Sequence, residues 1–248
     1  MKWKIFLSIA GFSALALAAP QASSAEATAT ALITNFSYTL VDLDPNDGVL
    51  PSFTVSYPYY SLSVASYLHG SGFSHSQHSL QTPGTASINE SSGAATSSYD
   101  GATASSTITI HELSPYFTSY TMGQWGFALG PNTSVTLTGY GTIHGEQVDG
   151  LDTGAYSQIY ASYYVSPSDP YSTYLSDDLN SNDGNDQSRG MSVTFKSGTS
   201  EINGVLGFST YAGGIDSSAV ATPVPEPSTY AMLFCGLITL ACAARRKA

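Results

Sequence analysis

Apolar residues alternate with hydroxyl-bearing ones along much of the chain. In Ser52-Phe53-Thr54-Val55-Ser56-Tyr57 the alternation is strict, and it returns in 107–111, 134–138 and 191–196. Trp125, Phe127 and Leu129 share one face of a further segment, as do Ile159, Ala161, Tyr163 and Val165. Phe36 to Leu40 and Val205 to Tyr211 add two more apolar stretches. A period of two with Ser and Thr on the outside predicts half-buried antiparallel strands. Clusters of Gly, Pro, Asn and Asp separate them with turn chemistry. The stretch 85–106, rich in Ser, Thr, Ala and Gly, reads as a long hairpin or loop.

Between residues 26 and 218 no stretch sustains a 3.6-residue apolar pattern with caps. The expected fold class is therefore all-β. Roughly eight to twelve short strands pack as an antiparallel two-layer β-sandwich, with a closed barrel as the alternative. A transmembrane barrel is disfavoured, because regularly spaced aromatic girdles are missing. Both cysteines, Cys235 and Cys242, fall outside 26–218, so no disulfide braces the domain. Its stability must come from a packed core.

The two ends have a different character. Met1 to Lys4 is a short basic region, Ile5 to Ala19 is apolar, and Ser23-Ser24-Ala25 is a small-residue cleavage site. Residues 1–25 read as a secretory signal peptide, a signal helix handed to the Sec export machinery; a cut after Ala18 is the alternative. At the other end, residues 219–229 form a Pro-rich linker. An apolar run from Tyr230 to Ala244 and a basic cluster, Arg245, Arg246 and Lys247, complete 230–248.

Val224-Pro225-Glu226-Pro227, the apolar run and the basic end together resemble the PEP-CTERM sorting signal of Gram-negative bacteria that make extracellular polysaccharide. The resemblance implies that an exosortase is the processing partner. It implies recognition through Pro225, Glu226 and Pro227, and a single C-terminal hydrophobic helix with Arg245, Arg246 and Lys247 held on the cytoplasmic side. As a helix the 15-residue run reaches about 22 Å, against a hydrocarbon core of about 30 Å. A transient anchor fits that length better than a stable span, with release to the cell surface or medium after crossing the inner membrane. Asp42 to Gly48 with Pro51-Ser52-Phe53, and Phe127 to Val135, also resemble segments of small β-rich PEP-CTERM proteins. That resemblance implies a sandwich-like exported domain with no established activity.

Charge narrows the partners. Only Arg189 and Lys196 lie between Glu26 and Ala244, against all 18 acidic residues, a formal charge of −16. Such a surface repels nucleic acid. Catalytic signatures are missing too. There is no Gly-x-Ser-x-Gly elbow, His111-Glu112 does not open a zincin motif, and Gly139-Tyr140-Gly141 lacks a dinucleotide loop's third glycine. The chain reads as a non-catalytic protein.

Three clusters carry candidate chemistry. Asp177 to Asp186 is dense in oxygen-bearing side chains, and Asp178, Asn180 and Asn182, with Asp183 beside them, suit a calcium loop. The turn glycine comes one place late for an EF-hand, at Gly184, and a solvated Asn/Asp loop is the competing reading. No cofactor is required; calcium is the one that would fit. His69, His75 and His78 are a weaker zinc or copper idea. Tyr156, Tyr160 and Tyr164 would share an outward strand face suited to stacking on sugar rings, or would be ordinary strand tyrosines. The expected function is an exported structural or adhesion protein of the extracellular matrix or biofilm. The alternative is a carbohydrate-binding module, calcium-dependent or not, whose partner is exopolysaccharide.

Overall fold

A computed structural model describes residues 26–68, 72–80, 82–111, 116–148, 151–164, 172–181 and 186–215. The signal segment, the linker, the sorting residues Pro225, Glu226, Pro227, Arg245, Arg246 and Lys247, and also Asn182, Asp183 and His69, lie outside the described residues. The alternation of Ala27, Ala29, Ala31 and Ile33, all inward and buried, makes β1 (Ala27–Asp42). Along the chain follow β2 (Phe53–Leu68), β3 (Gly72–Leu80), β4 (Gly84–Glu90), β5 (Gly93–Tyr99), β6 (Thr103–Ile110) and β7 (Tyr116–Leu129). Then come β8 (Thr133–Gly145), the short β9 (Gln147–Val148), β10 (Leu151–Tyr164), β11 (Thr173–Asn180), β12 (Asp186–Lys196) and β13 (Ile202–Ile215). No α-helix occurs among the described residues.

The strands form two sheets, and every pairing is antiparallel. Sheet A runs β12-β8-β1-β6-β5-β4, and sheet B runs β11-β10-β13-β7-β2-β3 with β9 on β10. They pack face to face as the expected β-sandwich, with Ile33, Ile108, Leu137 and Ile143 of sheet A meeting Leu62, Phe117, Ile159 and Phe208 of sheet B in one core. All of this lies in one compact unit, Ala25–Ser217.

Two bulges reset which residues point inward. Asn35, at φ 57°, shifts the β1–β8 register between Thr34 and Ser37. Before it the odd positions face the core; after it Phe36 and Leu40 do. Tyr57, at φ 49°, does the same in β2, where the register shifts between Ser56 and Tyr59. The alternation read from Ser52 to Tyr57 therefore does not continue as core. Tyr57 is 90% exposed, and the inward set is Tyr60, Leu62 and Val64.

Of the two readings of 85–106, hairpin and loop, the hairpin holds, extended by a third strand. The stretch folds as β4, β5 and the start of β6, a meander at one side of sheet A, and it brings the strand total among the described residues to thirteen, above the eight to twelve expected. Apart from Ile88 and Tyr99, its inward side chains are small: Ala86, Ala95, Ser97, Ala104 and Ser106 are buried. Small side chains let the sheets approach closely enough for hydroxyls to bond the opposite sheet's backbone. Ser97 Oγ donates to the Tyr120 carbonyl at 2.7 Å, Thr121 Oγ1 to that of Ser105 at 2.7 Å, and Ser106 Oγ to that of Thr210 at 3.1 Å. Ser97 and Thr121 also meet at 2.7 Å. Buried hydroxyls without partners would cost free energy; here each is satisfied. Elsewhere the core is aromatic. Phe36, Trp125, Phe208 and Tyr99 form a chain of ring contacts, with Trp125–Phe208 at 5.6 Å and Tyr99–Phe208 at 5.1 Å.

At one side of the sandwich the edge strands β11 and β12 lie beside each other. Arg189 of β12 grips Asp177 of β11 with both terminal guanidinium nitrogens, at 2.6 and 3.1 Å, and donates to the Asp178 carbonyl at 2.7 Å. The guanidinium holds the Asp177 carboxyl below the usual carboxylate range. Charges placed on edge strands in this way also discourage edge-to-edge pairing with other chains.

Candidate functional site

The outer face of sheet B is set by strand alternation. In β10 Ser157, Ile159 and Ala161 are buried between the sheets, so Tyr156, Gln158, Tyr160, Ser162 and Tyr164 point the other way. Registers carry that face across the sheet. Tyr156 pairs with Asn180 of β11 and Tyr211 of β13, and Tyr211 pairs with Tyr120 of β7. Tyr59 and Tyr67 of β2 and Tyr174 of β11 join the same face. Tyrosines from five strands thus line one surface.

The rings are ordered by one another and by glycine. Tyr174 stacks on Tyr160, a diagonal neighbour, with centroids 5.9 Å apart and planes 22° from parallel. The Tyr160 ring lies over Gly207, where an added Cβ would sit 3.0 Å from its hydroxyl oxygen. The Tyr211 ring covers Gly213 in the same manner, and its hydroxyl meets that of Tyr116 at 2.7 Å. Tyr174 bonds Gln158, and Tyr120 bonds Ser209. Burial raises the phenol pKa of Tyr156, Tyr160 and Tyr211, so all three stay neutral donors.

The structure corrects the expectation that Tyr156, Tyr160 and Tyr164 are exposed together. Tyr164 is 52% exposed and Tyr156 half-buried, but Tyr160 is only 8% exposed, with Tyr174 stacked on it. Tyr174, at 53% exposed, is the outer ring of that stack. Nothing local in the sequence places it beside Tyr160; only the β10–β11 register does. Tyr59 and Tyr67 are exposed farther across the face.

The other outer surface is built differently. On sheet A, Thr30 pairs with Thr107 and Thr107 with Thr96; Thr39 pairs with Thr136 and Thr136 with Thr194. Thr136 and Thr194 hydroxyls meet at 2.9 Å, as do those of Ser37 and Thr138. Tyr140 is the tyrosine this face exposes among β1, β4, β5, β6, β8 and β12. At one end His144 lies between carboxylates, Nδ1 to Asp186 at 2.5 Å and Nε2 to Glu146 at 3.3 Å. Glu146 in turn accepts from the Thr28 backbone and hydroxyl at 2.7 and 2.9 Å. The Asp186 hydrogen bond raises the His144 pKa above its ordinary value, and the Thr28 backbone bond lowers that of Glu146.

Of the calcium residues, Asp178 and Asn180 sit on strand β11, paired with Gln158 and Tyr156, rather than in a loop. Asn182 and Asp183 are outside the described residues, and so are the side chains of His75 and His78. No group of three or more His, Cys, Asp or Glu among the described residues is arranged to hold a metal ion.

No protein-family model matches the chain, and no curated protein matches it. Among solved structures, one described as "Structural basis for the promiscuous specificity of the carbohydrate-binding modules from the beta-sandwich super family" is 14% identical. The match covers 73% of this chain and 95% of that one, with a TM-score of 0.15. At that score the likeness carries nothing about function.

Proposed function

We propose that this chain is an exported, non-catalytic matrix protein that adheres to polysaccharide through the tyrosine-lined outer face of sheet B. The observation that supports this reading is the gathering of tyrosines from β2, β7, β10, β11 and β13 on one face, with Tyr164, Tyr174, Tyr59 and Tyr67 open to solvent. A tyrosine ring offers a flat apolar surface to the C–H face of a sugar and a hydroxyl to its rim. Repetition across strands suits a polymer, since several weak stacking contacts add along one chain. On this reading the tail is an address. Exosortase acts near Pro225, Glu226 and Pro227, and the basic end keeps the run in the inner membrane until then.

The test is retention of the full-length chain in a gel cast with exopolysaccharide from the producing bacterium. Retardation that falls about two- to tenfold in affinity in Tyr174→Ala, at an unchanged melting temperature, is the expected result; stacking contacts of about 0.5–1.5 kcal/mol beyond area burial set that scale. Migration equal to that in a polysaccharide-free gel would overturn the reading.

A further inference from the structure

Resting on the reading of sheet B as a glycan surface, we propose that the polymer it takes carries protonated amines, that is, glucosamine units rather than neutral or uronic sugars. Three observations lead there. The first is charge: the strands of sheet B contain no lysine or arginine, both cations of the domain lying in β12 of sheet A. A polyuronate would meet a domain of net charge −15 over residues 26–218, with no lysine or arginine in the strands of that face to neutralise it.

The second is the position of Asp178. Its Cα partner in β10 is Gln158, which puts it on the outer face between Tyr156 and Tyr160, its diagonal neighbours. It is exposed. Arg189 commits both of its carboxylate contacts to Asp177 and donates to the Asp178 backbone carbonyl; its charge reaches Asp178, but no salt bridge to the Asp178 carboxylate occurs among the described residues.

The third is the aromatic surround. A cation near a tyrosine face is attracted by the ring quadrupole. An ammonium-bearing sugar stacked beside Asp178 therefore gains a carboxylate partner and an aromatic one together. A neutral sugar gains only the stack.

The experiment measures binding of glucosamine oligomers, their N-acetylated counterparts and β-glucan oligomers to the full-length chain in detergent micelles, by calorimetry at low salt. The expected result is preference for the amine form, lost when pH is raised until the amine is neutral. Asp178→Asn weakens amine binding about three- to fivefold, the scale of one exposed ion pair, and leaves β-glucan binding unchanged. Asp44→Asn removes the same charge from the exposed turn after β1. It should leave amine binding within about 1.5-fold, since screening confines charge effects to about 10 Å at moderate salt. Equal binding of all three oligomers, or equal effects of the two Asp variants, would overturn the amine specificity while leaving the glycan surface standing. Binding of none, with retention in the native exopolysaccharide gel, would overturn the amine specificity alone; binding of none without that retention would overturn both.

Discussion

The two outer faces of the sandwich come from the same alternating grammar and end in different chemistry. Sheet A turns out rows of threonine and serine whose hydroxyls bond one another, as Thr136 does with Thr194. Sheet B turns out tyrosines that lie over glycines and stack on neighbouring strands. Short hydroxyls satisfied within their own sheet leave little free bonding capacity and little apolar area. Exposed rings such as Tyr164 and Tyr174 leave a flat apolar face open to solvent even where a hydroxyl, like that of Tyr174 to Gln158, is already bonded. The difference shows that "polar outside" is not one condition: what an outward row offers a partner depends on whether its groups are already used.

The contrast can be broken most strongly from behind. Phe208 is fully buried against Gly123 and packs on Phe36, Tyr99 and Trp125, beneath both surfaces. Phe208→Ala should cost about 3–5 kcal/mol in denaturant unfolding, with both faces lost in one transition. A smaller effect belongs to the seam between the sheets. Thr121→Val removes the bond to the Ser105 carbonyl and the hydroxyl partner of Ser97 and Ser106. It should cost about 1–3 kcal/mol and leave polysaccharide affinity unchanged.

How much of this was legible in the sequence divides along the same line. Inward residues such as Ile108, Leu137, Val193 and Phe195 were readable because local alternation fixes a strand's buried face. The meander 85–106 was legible only as a hairpin or loop, because Ala95, Ser97, Ala104 and Ser106 carry little apolar signal; their inward face is set by strand pairing, and Ser97 and Ser106 meet Thr121 across the core. The bulges at Asn35 and Tyr57 hide in the same way, since nothing local announces a change of face. For the candidate surface, alternation gave Tyr156, Tyr160 and Tyr164 a common side. The cover over Tyr160 and the contribution of Tyr174, Tyr120 and Tyr211 depend on β7, β10, β11 and β13 becoming neighbours, a long-range fact of register.

Two weaker perturbations sharpen the comparison. Thr136→Val with Thr194→Val exchanges a satisfied hydroxyl pair for methyls on sheet A. Stability should move by no more than about 0.5 kcal/mol and polysaccharide retention should not change. The smallest effect is one of pH. The His144 value in the folded chain lies above its ordinary 6.5, through Asp186 first and Glu146 after it. Its contribution to stability is therefore full below that ordinary value and is lost as pH rises through the folded one. The melting temperature should show a small decline over that interval, absent in His144→Gln.

The most direct measurement is tyrosine-selective iodination followed by peptide mass spectrometry, with and without the bacterium's own polysaccharide. Tyr140 on sheet A, 45% exposed, is an internal control for Tyr164 and Tyr174 on sheet B. The account predicts that polysaccharide protects Tyr164 and Tyr174 while Tyr140 reacts as before. Protection of Tyr140 with continued labelling of Tyr164 and Tyr174 would contradict it.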